Sequence, residues 1–125
     1  TVRFAPPQVT LISNLTGAAA GAELGTPEYW VRHVRQAVRF AAGMDALRAG
    51  GYDALVEIGP KPVLLGMARP CLEADASAEL PALLASLRAG SADWQVLLAS
   101  LGELHVRGAA IDWQDVDHDP KVTVA

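Results

Sequence analysis

The sequence predicts an α/β fold. Three observations carry that expectation. Apolar residues recur at helical spacing in several separate stretches. The run Ala54-Leu55-Val56-Glu57-Ile58 is nearly continuously apolar, as a strand buried on both faces requires. The order helix, strand, helix across residues 38–72 makes one α/β unit. Hydrophobic residues are 51% of the 125 and charged residues 19%, so a packed core is expected and general disorder is not.

Residues 9–12 (VTLI) follow Pro7 and precede SNLTG, so a short buried strand running into a turn is expected there. Residues 18–25 (AAAGAELG) are small and are expected to form a surface loop. Thr26 is suited to capping a helix, with Pro27 at its first position and Glu28 in its first turn. Trp30, Val31, Val34 and Val38 fall on one helical face. Phe40, Met44 and Leu47 form a second pattern that stops at Gly50-Gly51, where a left-handed residue costs least. A break is expected near Gln36-Ala37. Residues 59–62 (GPKP) turn the chain. Residues 63–72 (VLLGMARPCL) form the next helix, with Pro62 at its start and Pro70 near its end. Residues 80–87 (LPALLASL) supply another strand. Ser91 and Asp93 open the last strong helix, whose Trp94, Leu97, Leu98, Leu101, Leu104 and His105 share a face, and Gly108 stops it. Residues 111–125 (IDWQDVDHDPKVTVA) are acidic and irregular.

The net charge of −4 argues against nucleic acid as a partner. No apolar run approaches the ~18 residues that span a bilayer, and no signal-peptide pattern opens the chain. The single cysteine, Cys71, excludes an internal disulfide and suits a reducing cytoplasm. The chain opens at Thr1 rather than Met, which predicts a piece of something longer.

Few residues present themselves for chemistry. Ser13, Ser86 and Ser100 sit in LISNL, LASLR and LASLG, none with the glycines of a nucleophile elbow. No phosphate loop or dinucleotide fingerprint occurs. Cys71 with His33, His105 or His118 offers a nucleophile and base, but a cysteine in an apolar helix is far more often a small core residue. Asp115, Asp117 and Asp119 have the alternate spacing of a calcium loop, yet Pro120 stands where that loop needs Gly; no metal is expected. Glu57 lies in a strand expected to be buried, so its carboxylate needs partners, and the backbone of the 59–62 turn is the nearest source. A structural carboxylate is the reading preferred over a catalytic one. His33 borders the apolar face with Tyr29 and Trp30, where packing is the commoner role. Arg32, Arg35 and Arg39 are spaced to line one side of a helix, a solvated face or a partner for carboxylates.

VTLISNLTG, TPEYWVRHVRQAVRF, ALVEIGPKPVLLGM and LLASLGELHVRGAAIDW occur in that order. Over residues 4–113 the chain resembles the C-terminal part of the acyltransferase domains of modular type I polyketide synthases. The resemblance implies the C-terminal portion of an α/β-hydrolase-like acyltransferase core in residues 1–78. Residues 79–125 would be a post-acyltransferase linker containing a helix. It implies transfer of malonyl-type extender units from coenzyme A to an acyl carrier protein by a ping-pong route, through a Ser nucleophile and a His base. The family's Ser, His and carboxylate-gripping Arg motifs do not occur here, so this segment alone is expected to be inactive. In the family a main-chain carbonyl orients the catalytic His. The matching position here is His33, which would act through its carbonyl on a His outside this chain. Glu57, Gly59 and Pro60 would be structural residues near the site. The segment would bind no cofactor itself, acyl-coenzyme A and the carrier's phosphopantetheine being the implied substrates. Implied partners are the N-terminal part of the same acyltransferase, the ketosynthase domain and the acyl carrier protein, with no nucleic acid and no membrane. The ending DVDHDPKVTVA departs from the aromatic-rich close of such linkers. Rival readings are a non-catalytic structural or docking module, and the C-terminal part of a free-standing malonyl transferase of fatty acid synthesis; the linker-like residues 80–113 favour the multidomain synthase over the latter.

Overall fold

The structure is a computed structural model that describes residues 4–5, 7–74 and 79–117. Its described residues fall into two compact units: one within Thr1–Leu55 and Val63–Ala82, the other within Val56–Pro62 and Leu83–Ala125.

In the first unit, residues 9–12 are not the expected buried strand. Ile12 pairs with Ala19 in one antiparallel bridge, and Val9 and Leu11 are exposed. The pairing is closed by Ala20 N–H to Leu11 O at 2.8 Å and Ser13 N–H to Ala18 O at 2.8 Å. A strand is stable only against a neighbour, and the turn at 13–18 supplies one rung. Gly17 makes that turn with φ of 73°. Residues 18–25 are likewise more than a loop. Ala22–Gly25 form a 3-10 turn, and Leu24 from it joins Leu15 and Tyr29 in a small core.

Helix α1 spans Pro27–Arg35 and starts as its sequence predicts: the Thr26 side chain accepts from Tyr29 N–H. It ends at Gln36, which is extended (φ −104°, ψ 157°), so the expected break is present. Helix α2 spans Phe40–Ala49. It stops as expected: Gly50 N–H donates back to Ala46 O and Leu47 O, both at 3.1 Å, and Gly51 adopts φ of 67°. Helix α3 spans Val63–Glu73 and packs on α2, burying Ala68 and Leu72. Pro70 lies inside α3, near its end, as expected. Proline removes one i→i−4 bond, and here the helix runs a further turn to Glu73.

Strand β1 is Ala54–Glu57 and β2 is Ala82–Ala85, paired as a two-stranded sheet. Ala82 N–H donates to Asp53 O and Ser86 N–H to Glu57 O, both at 2.9 Å. The constant offset makes the pair parallel, as an α/β fold requires. β1 is not buried on both faces: Val56 is exposed, and Ile58, just past the strand, is 82% exposed. Two strands leave most of an apolar β surface uncovered.

In the second unit, helix α4 spans Asp93–Val106. Ser91 does not cap it; the N-cap is Ala92, without a side-chain bond, and Ser91 instead donates its N–H to Arg88 O. Leu97, Leu101 and Leu104 are half-buried, while Trp94, Leu98 and His105 of the same face are exposed. Gly108 (φ 93°) follows the helix as expected. Trp113–Asp117 form a short helix α5 where the sequence reads as irregular. Its cause is Asp112, whose Oδ1 accepts from Gln114 N–H (3.0 Å) and Asp115 N–H (3.3 Å). The Trp113 indole meets His105 edge-on at 5.5 Å.

Candidate functional site

The C-terminal end of α1 is the first candidate region. Tyr29 is anchored below it: its hydroxyl lies 2.7 Å from Ser13 Oγ, and both residues are buried. Trp30 is anchored beside it, the indole N–H donating to Leu24 O at 3.0 Å. The half-buried His33 ring lies 6.0 Å from the Tyr29 ring and 5.8 Å from the Trp30 ring. Two aromatic side chains with fixed polar ends therefore set where the helix backbone lies.

The last intrahelical bond runs from Gln36 N–H to Arg32 O at 2.9 Å. Because Gln36 is extended, the carbonyls of His33, Val34 and Arg35 have no following turn to donate to them. Beyond the extended link, Arg39 N–H turns away to Asn14 O at 2.8 Å. Among the described residues no backbone N–H donates to these carbonyls, which carry the negative end of the helix dipole, a place suited to a ring N–H or a cation.

The arginines do not make one stripe. Arg32 and Arg35 lie on α1, but Arg39 is the N-cap of α2 beyond the extended link. The spacing that predicted a common face assumed an unbroken helix. The apolar face of α1 is likewise not packed within this unit: Val31 is more than half exposed and Val34 is 84% exposed, while Val38, expected on the same face, lies beyond the end of the helix and is also more than half exposed.

The second region is the turn after β1. Glu57 is half-buried, and its main-chain carbonyl accepts from Ser86 N–H. Gly59 N–H donates to Ser86 Oγ at 2.9 Å, and that hydroxyl lies 3.3 Å from Gly59 O. Pro60, which follows, is exposed. Ser100 Oγ–H donates to Ala85 O at 2.8 Å. Sequence reasoning missed Ser86 and Ser100, dismissing them as nucleophiles without asking what else a buried hydroxyl would do; two serines on otherwise apolar stretches were the available signal.

The remaining candidates do not assemble. Cys71 is half-buried, and its thiol donates to Met67 O of its own helix at 3.6 Å. His105 meets Trp113. Among the described residues no three His, Cys, Asp or Glu side chains gather to hold a metal. The calcium-loop pattern continues through His118, Asp119 and Pro120, outside the described residues. No described helix is long and apolar enough to cross a membrane. Among the described residues the one shifted carboxyl is peripheral: the Gly21 N–H, 3.0 Å from Glu23 Oε1, holds that group below the usual range.

No family model matches the chain. Relatives are nonetheless clear. The chain is 38% identical over 113 residues to polyketide synthase GfsA of Streptomyces halstedii, covering 90% of this chain and 2% of that protein. It is 39% identical over 113 residues to the spectinabilin polyketide synthase system protein NorB of Streptomyces orinoci, covering 90% of this chain and 5% of that protein. Among solved structures it matches the acyltransferase domain from the second module of the salinomycin polyketide synthase, with a TM-score of 0.78 at 34% identity, over 97% of this chain and 28% of that one. It also matches the acyl transferase domain of SpnD in complex with 2-(pent-4-yn-1-yl)malonyl, with a TM-score of 0.74 at 38% identity, over 86% of this chain and 26% of that one. The chain spans about a quarter of the acyltransferase chains it matches and a few per cent of the synthases.

Proposed function

This chain belongs with the acyltransferase domains of polyketide synthases, and we propose that it forms the C-terminal part of one. Residues 1–78 complete the α/β core, and residues 79–125 are the linker that follows. The assembled domain moves a malonyl-type extender unit from coenzyme A to the phosphopantetheine arm of an acyl carrier protein. The observation that carries this reading is the fold match over 97% of the chain to 28% of a polyketide synthase acyltransferase. The malonyl group bound by the SpnD domain supports the substrate class. The small share of each relative supports ketosynthase and carrier neighbours in one multidomain polypeptide over a free-standing transferase; a cytoplasmic location, suited to the single cysteine, is part of the same proposal.

Within that domain this chain provides support, not the nucleophile. The His33 carbonyl accepts the ring N–H of a catalytic His that the rest of the domain supplies, and so leaves the other ring nitrogen to take the nucleophile's proton. The carbonyls at the end of α1 support that role. Glu57, Gly59 and Pro60 shape the turn after β1. The exposed Val31, Val34 and Val38 meet the N-terminal part of the domain, which buries them.

The test is reconstitution from two chains, this one and the preceding part of the acyltransferase, with acyl-enzyme formation from malonyl-coenzyme A read by intact mass. Acylation of the partner's Ser only when both chains are present is expected. A complex that forms but never acylates, with the matching undivided domain active as control, would instead establish a docking module.

A further inference from the structure

We propose that Ser86 is a positioning residue. Its hydroxyl stands in for a main-chain carbonyl at the end of the parallel ladder, and so fixes where β1 ends and the 59–62 turn begins. This concerns the chain's own backbone and holds whatever reaction the assembled domain performs.

The ladder defines what is unusual. Ser86 N–H donates to Glu57 O. In evenly stepped parallel pairing, the same residue then accepts, through its own carbonyl, from the N–H two residues further along, at Gly59. Gly59 N–H goes to the Ser86 hydroxyl instead, at 2.9 Å. The hydroxyl in turn donates to Gly59 O, 3.3 Å away. A serine hydroxyl has one donor and two acceptor positions, so the two bonds coexist. One side chain therefore holds both polar groups of a single residue.

That hold matters because nothing nearby replaces it. Pro60 and Pro62 have no N–H, so Gly59 is the last regular donor before the chain leaves the sheet. Ser86 is 8% exposed, so water has little access to take over the bond. The glycine itself is not what shapes the turn. Gly59 has no positive φ, and a Cβ placed there would meet nothing within 4 Å. The clamp is also backed from behind: Ser100, on α4, bonds Ala85 O, one residue before Ser86. Residues 56–62 accordingly group with residues from 83 onward and not with α3, which they directly precede. The segment proposed as linker thus organises the turn that follows Glu57.

Amide hydrogen exchange in the full chain, read by NMR, tests this. Ser86→Ala should speed exchange of the Gly59 amide about tenfold, the loss of one buried hydrogen bond. The Leu15 amide, bonded to Ser13 Oγ in the other unit, should keep its rate. Ser86→Thr, which retains the hydroxyl, should return Gly59 to within about threefold of the parent. Gly59→Ala should leave that amide slow. If Ser86→Ala fails to fold, Ser86→Cys, a weaker donor and acceptor of similar size, should speed Gly59 exchange by a smaller factor. An unchanged Gly59 rate in the folded Ser86 variant, or Gly59 and Leu15 accelerating together, would overturn the proposal.

Discussion

His33 offers a ring and a carbonyl, and among the described residues no backbone N–H claims the carbonyl. In the complete domain, His33→Gln should keep most of the acyl-enzyme rate, since the backbone is unchanged. Trp30→Ala should do more. It removes an aromatic anchored to Leu24 O, at a cost of up to ~3–5 kcal/mol for a fully buried ring and less for this partly exposed one. A displacement of about 1 Å in an orienting group can lower the rate ~100-fold. Acyl-enzyme formation corrected for folded fraction checks both; the opposite ranking would place the imidazole itself in the chemistry. Glu57→Gln should lower stability by ~1–3 kcal/mol while the folded fraction keeps its rate. Unchanged melting with activity down by orders of magnitude would make Glu57 catalytic. Glu23 gives a pH signature. Its folded pKa is depressed, so its contribution is full above the unfolded value and fades as pH falls through the folded one. Its carboxyl resonance should titrate below that of the unfolded chain. The place of His33 was legible because Thr26, Pro27 and the break after Arg35 are local signals. Ser86 was not, because the residue that explains it lies 27 positions away.

Helices α1 to α4 and both strands of the sheet were legible, while the strand expected at 9–12 and the short helix α5 were not. Every helix signal is carried within a few residues: a cap, a period, a glycine. Residues 9–12 have strand-like sequence, but strand character is conferred by a neighbour, and the structure gives them only the Ile12–Ala19 bridge. Local signals also failed where a short polar side chain reorganised a terminus, as Asp112 does for α5. Two substitutions test the elements directly. Thr26→Ala should destabilise the first unit by ~1 kcal/mol through loss of the cap on α1. Gly17→Ala should be worse, at about 2–4 kcal/mol. It places a side chain on a residue with φ of 73° and drives it into the Ala42 side chain of α2. Denaturant midpoints at unchanged slope measure both; a neutral Gly17→Ala would mean that α2 moves aside readily.

The valines of α1 that sequence periodicity assigned to a core are exposed within their own unit. The period was read correctly; what the sequence cannot say is whether the covering surface lies on the same chain. Alone, this chain should bind a hydrophobic dye and associate at micromolar concentration, and it should not be acylated by malonyl-coenzyme A. A monodisperse, dye-silent monomer would mean that the α1 face needs no cover. The order of the units along the polypeptide carries a last consequence, in time rather than in space. Residues 56–62 belong with residues that begin at 83. A chain made from its N-terminus therefore extrudes this turn before its companions exist. At ~5–20 residues per second, adding residues 63–82 takes on the order of one to four seconds. Throughout that interval the backbone edge of β1 that β2 later pairs is on offer to any other nascent strand. Slow codons between 63 and 82 would lengthen this window of mispairing, and fast ones would shorten it.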